Sequence, residues 1–247
     1  MLFRSTTSTT APNGVVWGKT LGGTGADHAT GVDFAGAAIF VGGHFRDTAD
    51  VNWSTASDDD RTSAGFEDSF LSKFDDAGGT LSWTKTWGGS SNDVANDLVI
   101  DRSNNDVYIG GYLGDTEVDY DPGSGTVMIG GDSGGQGGQD SWISKFNVSW
   151  DPQWAKNFGA NGHDKIEGMA AASGNVYATG YQKGTAGDWD TGTGTIQLGS
   201  GNSYDPFTIK LNSSGLTQWA FSVGGSSGYE AGWGVTTDNS EIGRAHV

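Results

Sequence analysis

Residues 83–93 read Trp-Thr-Lys-Thr-Trp-Gly-Gly-Ser-Ser-Asn-Asp, and this stretch decides the fold because the chain repeats it. The related segments are WGKTLGGTGAD at 17–27, WAKNFGANGHD at 154–164 and WAFSVGGSSGY at 219–229. Trp17, Trp83, Trp154 and Trp219 thus open four copies at spacings of 66, 71 and 65 residues. Self-similarity at a fixed period is the signature of a repeat architecture. Within the stretch, Trp83, Lys85 and Trp87 fall on one face and Thr84 and Thr86 on the other, the period of two that marks a strand.

Two further blocks follow each opening. IFVGGHF (39–45), VYIGGYL (107–113) and VYATGYQ (176–182) align Gly43, Gly111 and Gly180. EDSFLSKF (67–74), QDSWISKF (139–146) and YDPFTIKL (204–211) align Asp68, Asp140 and Asp205, then Lys73, Lys145 and Lys210. Every block has strand character, and no stretch reads as a capped amphipathic helix of ten or more residues. Asn13–Trp17 matches Gly215–Trp219, so the chain holds about three complete repeats of about 67 residues, the tail of one before them and the start of one after. The prediction is an all-β protein with four or five short strands per copy.

Composition agrees. Of 247 residues 43 are Gly, yet 28 are Phe, Tyr or Trp, which a disordered Gly-rich chain lacks. The glycines are expected at tight turns and close backbone approaches. No apolar run approaches the ~20 residues of a membrane-spanning helix. A net charge of −17 argues against nucleic acid as a partner. Without cysteine there are no disulfides and no thiolate metal sites.

A radially repeated four-stranded sheet is the β-propeller arrangement, each sheet a blade. The copies exceed the ~40–50 residues of familiar propeller repeats, so one connection per blade is long. Residues 45–67, 113–139 and 182–204 fit that role. Three and a fraction blades fall short of the usual ring of about 4–8, so an incomplete propeller is expected. Tandem β-sandwich modules and a β-solenoid are the competing architectures.

The motifs Trp-x-Lys-x-(aromatic)-Gly-Gly…Asp, Val-Tyr-Ile-Gly-Gly-Tyr and Asp-Ser-(aromatic)-Ile-Ser-Lys-Phe resemble the bacterial β-propeller repeat often abbreviated SBBP. Val118-Asp119-Tyr120-Asp121-Pro122-Gly123 also resembles a segment common in such proteins. The resemblance covers about residues 13–238; Pro206 and Thr208-Ile209 depart from it, and the fourth copy lacks the Asp after Gly-Gly. It implies an extracellular or cell-surface bacterial protein that binds a protein or glycan or serves as a scaffold, and it brings no catalytic motif.

The ends read differently. Met1-Leu2-Phe3-Arg4-Ser5 and Ile242-Gly243-Arg244-Ala245-His246-Val247 resemble the two translated directions of one sequencing adapter. Residues 6–241 are then the natural repeat region, a fragment of the kind metagenomic short inserts yield, and residues 1–5 and 242–247 are artefact. On that reading a signal peptide and further blades of the same full-length chain are missing partners of this segment.

Candidate chemistry is sparse. Gly131-Asp132-Ser133-Gly134-Gly135 spells a serine-protease motif, but it sits in a Gly-rich connection without a matching His context, and reads as a loop. His44 shares the slot of Tyr112 and Tyr181 and is expected to pack as a half-buried ring, while His28 and His163 occupy variable positions. The acidic pairs Asp50/Asn52, Asp119/Asp121 and Asp188/Asp190 recur at 69-residue spacings. They read first as Asx turns, and alternatively as calcium ligands; no other cofactor is implied. Trp53, Tyr120 and Trp189 within these loops either stack on a sugar or plug the blade edge. Lys73, Lys145 and Lys210 are expected to reach a neighbouring blade, with Asp27, Asp93 and Asp164 as candidate partners. A feature present in every copy reads as architecture, and functional residues should break the repeat. The leading expectation is a non-enzymatic binding or scaffolding segment; an enzyme domain using carboxylates from different blades on extracellular polysaccharide or peptide, and a calcium-stabilised adhesion module, are the alternatives.

Overall fold

The computed structural model describes residues 18, 20–51, 60–114, 117–130, 138–147, 149–185, 187–199, 201–225, 227–238 and 243–246. Trp17, Asn52, Trp53, the Gly131–Gly135 motif and residues 1–5 lie outside them. The described residues form antiparallel β-sheets and contain no helix.

In the first sheet β1 (Gly22–Gly23) and β2 (His28–Ala35) pair with one edge of β3 (Ala38–Asp50), and β4 (Asp60–Asp75) and β5 (Leu81–Trp87) follow on the other. The second sheet runs β6 (Asp93–Ile100), β7 (Val107–Leu113), β10 (Asp140–Phe146), β11 (Pro152–Phe158), with a small hairpin of β8 (Val118–Asp119) and β9 (Met128–Ile129) in its long connection. The third repeats this with β12 (Lys165–Ala172), β13 (Asn175–Gly184), β16 (Gly201–Leu211) and β17 (Thr217–Ser222), and the hairpin β14 (Gly187–Asp188) with β15 (Gln197–Leu198). A last pair, β18 (Gly234–Thr237) and β19 (Gly243–His246), follows it. The three sequence copies are therefore three four-stranded meanders, each in chain order.

The sheets stack face to face. Phe40, Leu71 and Trp87 of the first meet Leu98, Ile109, Trp142 and Phe146 of the second in one core. Tyr108, Ile143 and Phe158, from the other face of the second sheet, meet Ile166, Val176, Phe207 and Ile209 of the third. Tyr108 and Ile109 are adjacent in β7 and so point to opposite faces, which is why all seven residues of β10 are buried. Tyr120 and Trp189, at 1% and 0% exposure, plug the ends of these cores from the small hairpins. Burial of that extent leaves neither ring a face for a sugar.

Repeat positions acquire definite roles. Lys73 pairs across the strands with Trp83, Lys145 with Trp154 and Lys210 with Trp219, and each pair adjoins a register shift. The first strand of every sheet bulges at Thr30, Asn96 or Glu167. Opposite each bulge stands the repeated glycine. A Cβ on Gly43, Gly111 or Gly180 would lie 1.9, 1.9 or 1.8 Å from the carbonyl oxygen of His28, Val94 or Lys165. No side chain fits there, so the strand pairing itself selects glycine.

Candidate functional site

The joints between sheets set which residues are spent on architecture. Thr30 Oγ1 donates to the carbonyl of Ala95 at 2.8 Å, and Asn96 Nδ2 donates to that of Ile166 at 2.7 Å. Asp33 Oδ2 accepts from Ile100 N at 2.8 Å, and Asp97 Oδ2 from Met169 N at 2.6 Å. The acid after Gly-Gly ties down the link that leads into the first strand of each copy's meander: Asp27 accepts from Gly23 N (2.8 Å), Asp93 from Gly89 N (2.7 Å) and Asp164 from Ala160 N (2.7 Å). In the fourth copy Glu230 takes this part, accepting from Gly225 N at 3.3 Å. Asp68, Asp140 and Asp205 are buried beside these links. A Cβ on Gly88, Gly159 or Gly224 would come within 2.4, 2.7 or 2.1 Å of a neighbouring carboxyl group, Asp68, Asp164 or Asp205.

The expected lysine partners are corrected by this arrangement. Asp93 and Asp164 serve backbone amides, while Lys145 Nζ pairs with Asp106 of its own sheet at 2.8 Å and donates to Ser213 O of the next at 3.1 Å. The lysine does bridge sheets, but through a carbonyl. Asp106 wins because it sits on the turn beside Lys145, whereas the Gly-Gly acids lie at the opposite ends of the strands.

The acidic loops form Asx turns. Asp119 Oδ1 accepts from the amides of Asp121 (2.9 Å) and Val127 (2.8 Å), and Asp188 Oδ1 from those of Asp190 (2.9 Å) and Ile196 (3.1 Å). Asp121 and Asp190 in turn accept from Gly123 and Gly192. Asp50 pairs with Asp60 across β3 and β4. Among the described residues no group of three or more His, Asp or Glu is placed to hold a metal ion.

Several residues that differ between copies meet at the ends of the strands where the Gly-Gly links and long connections lie. His28 and His44 stack with centroids 4.8 Å apart, and His44, 8% exposed, places Nδ1 3.2 Å from Ala95 O. Its buried position lowers its pKa, against the Ala95 contact and the Glu67 charge. Lys165 Nζ lies 3.8 Å from the Tyr112 ring centroid, and Lys183 Nζ 4.8 Å from that of Tyr204. Tyr181, Tyr204 and Tyr229 form a triangle with centroids 5.0 to 5.4 Å apart, and Tyr229 is 56% exposed. Burial raises the pKa of Glu167, the nearby Lys165 opposing it, and burial lowers that of Lys165. Burial also lifts the Tyr112 hydroxyl to about 12.

Glu167 breaks the repeat informatively. Thr30 and Asn96, in its slot, donate to the next sheet, and a carboxylate cannot. Sequence reading passed over this position because no aligned block covers it; counting three residues on from Asp27, Asp93 and Asp164 reaches Thr30, Asn96 and Glu167 and would have found it.

The chain matches no family model, and no curated protein is significantly similar to it.

Proposed function

We propose that this chain is a non-enzymatic, extracytoplasmic segment of a β-propeller built from SBBP-type repeats, serving to bind a protein or glycan or to scaffold a bacterial cell surface. The observation that carries the reading is the recurrence of one joint: consecutive four-stranded sheets meet through the same bulge position, Thr30 to Ala95 and Asn96 to Ile166. Each sheet is then a blade, and further sheets of the same kind complete the ring.

Buried carboxylates weigh on the side of binding over catalysis. Burial raises the pKa of Asp164 well above the usual carboxylate range, and the Asp140 charge adds to it. Both residues are 0% exposed, and Asp164 accepts from two backbone amides, those of Ala160 and Lys183. A general acid must touch its substrate, so this pair belongs to the frame. The cluster of Tyr181, Tyr204, Tyr229, Lys165, Lys183 and Glu167 offers rings, cations and an acceptor at an accessible rim, which suits recognition.

The test is binding of the purified chain to arrayed bacterial surface glycans and to immobilised cell-surface proteins. Retention that drops in Tyr229→Ala and Lys183→Ala is the expected result. Turnover of a polysaccharide or peptide that disappears in Glu167→Gln would instead establish an enzyme.

A further inference from the structure

Each joint between sheets seats a turn of one sheet on a Lys–Trp pair of the sheet before it. At the first joint, Lys73 Nζ lies 5.2 Å from the ring centroid of Trp150, which also packs on Trp83 at 6.2 Å and Phe40 at 4.1 Å. Trp150 belongs to the turn between β10 and β11. At the second joint, Lys145 Nζ and Trp154 Nε1 both donate to Ser213 O, at 3.1 and 3.0 Å, and Ser213 belongs to the turn between β16 and β17.

The third sheet carries the same pair. Lys210 stands opposite Trp219 across the strands, with its Nζ 5.4 Å from the Tyr177 centroid, and Trp219 packs on Tyr177 at 6.2 Å. Among the described residues no turn sits on this pair and no ion pair involves Lys210. Along β17 and just beyond it, Trp219, Phe221 and Val223 are 38, 46 and 51% exposed, whereas Trp87 and Phe158, in the slot of Val223, are 5 and 1% exposed. β18 packs over β12 and β13 and leaves Trp219, Phe221 and Val223 at the β17 edge exposed.

Of the three equivalent turns, two are seated within the chain. The one left over joins β4 to β5 at the opposite end of the row, with Asp76, Ala77 and Gly78 exposed. It is already shaped, because Asp75 accepts from the amides of Gly78 and Thr80 at 2.7 Å each. Beside it, Val32, Phe34, Ala38, Ile39 and Asp76 line a surface depression in which Val32 and Phe34 are 65 and 62% exposed.

We propose that the Lys210–Trp219 corner of one copy of this chain seats the Asp75–Thr80 turn of a second copy, joining copies head to tail. The acidic turn meets Lys210, and the Trp219–Phe221–Val223 ridge enters the depression at Val32 and Phe34. The two patches differ, so the contact is heterologous, and each copy offers one of each. It extends an interface the chain already uses twice, and it holds for the open row of three sheets, since a ring closed by further sheets would cover both patches.

Two full-length variants test it, both altered only at exposed positions: Phe221→Asp blocks the corner and Phe34→Asp blocks the depression. Sedimentation velocity from about 1 to about 100 µM should show the unaltered chain associating and each variant monomeric, a loss of at least tenfold in affinity. Thermal melts matching the unaltered chain establish that both variants are folded. An equimolar mixture of the two should form a one-to-one dimer and nothing larger, since only one intact pair of patches remains. A monomeric unaltered chain, association that persists in either single variant, or a mixture that stays monomeric would each overturn the proposal.

Discussion

Thr30 Oγ1 reaches across the first joint to donate to the carbonyl of Ala95 at 2.8 Å. Asn96, in the same bulged slot of the next sheet, does the same to Ile166 at 2.7 Å. An unsatisfied buried carbonyl costs about 1–3 kcal/mol. Asn96→Leu should therefore lower the unfolding free energy by about that much. Thr30→Val should cost less, because His44 Nδ1 also approaches Ala95 O. Glu167→Gln restores a donor to the third slot and removes a half-buried charge, so no loss is expected. Urea denaturation of the three variants measures the order.

Glycine at the bulges is dictated by backbone approach. Gly111→Ala would drive a methyl to 1.9 Å from Val94 O, so a loss of about 3 kcal/mol or failure to fold is expected. Gly234 has nothing within 4 Å of the equivalent position, and Gly234→Ala should stay within about 0.5 kcal/mol of the unaltered chain. Thermal melts of the pair decide between close approach and mere turn preference.

Acid should act on two groups in opposite directions. Burial raises the Asp97 carboxyl to about 6; the amides of Met169 and Leu98 pull it back, and the Asp33 charge pushes it further up. The folded chain then holds this proton more tightly than the unfolded one, so the Asp97 contribution to stability grows as pH falls from about 6 toward 3.8. The full effect is on the order of 2–3 kcal/mol. Asp97→Asn should abolish that part of the pH dependence, as read from denaturation midpoints between about pH 4 and 7.

His44 has the contrary sign. Burial lowers its pKa below 6.5, so the unfolded chain takes up the proton first and stability falls as pH drops below that value. His44→Tyr installs the residue found at Tyr112 and Tyr181 and should remove the loss. Melting temperatures of both forms at about pH 7.5 and about pH 5.5 provide the check.

In the acidic loops, Asp119 and Asp188 spend one oxygen each on two backbone amides. We therefore expect the melting temperature to be the same in EDTA and in millimolar Ca²⁺; a rise with Ca²⁺ would establish a cation site there. Asp119→Ala should destabilise in either buffer by about 1–3 kcal/mol, through two unsatisfied amides.

Much of the frame was legible in the sequence because the repeat exposes it. The Trp, Gly and Lys blocks mark the fourth, second and third strands of each sheet, and the period-two pattern of Trp83–Trp87 fixes one as β5. The first strand was less visible, since HATGVDFA, DVANDLVI and KIEGMAAA share little beyond a bulge that only pairing reveals. The partners of Lys145 and Asp93 were missed for the same reason: a side chain's neighbour depends on which end of the strand it occupies, not on its spacing in the chain. The rim cluster escaped notice because Lys165, Glu167 and Tyr204 lie far apart within the third copy and Tyr229 in the fourth, and together they form no motif.

The most direct test of the central claim is an experimental structure of the chain to side-chain resolution. The account predicts three four-stranded meanders turning about a common axis, with Thr30 on Ala95 O, Asn96 on Ile166 O, and the first strands innermost. Sheets packed as separate two-layer sandwiches, or coiled along a solenoid axis without those two hydrogen bonds, would contradict it.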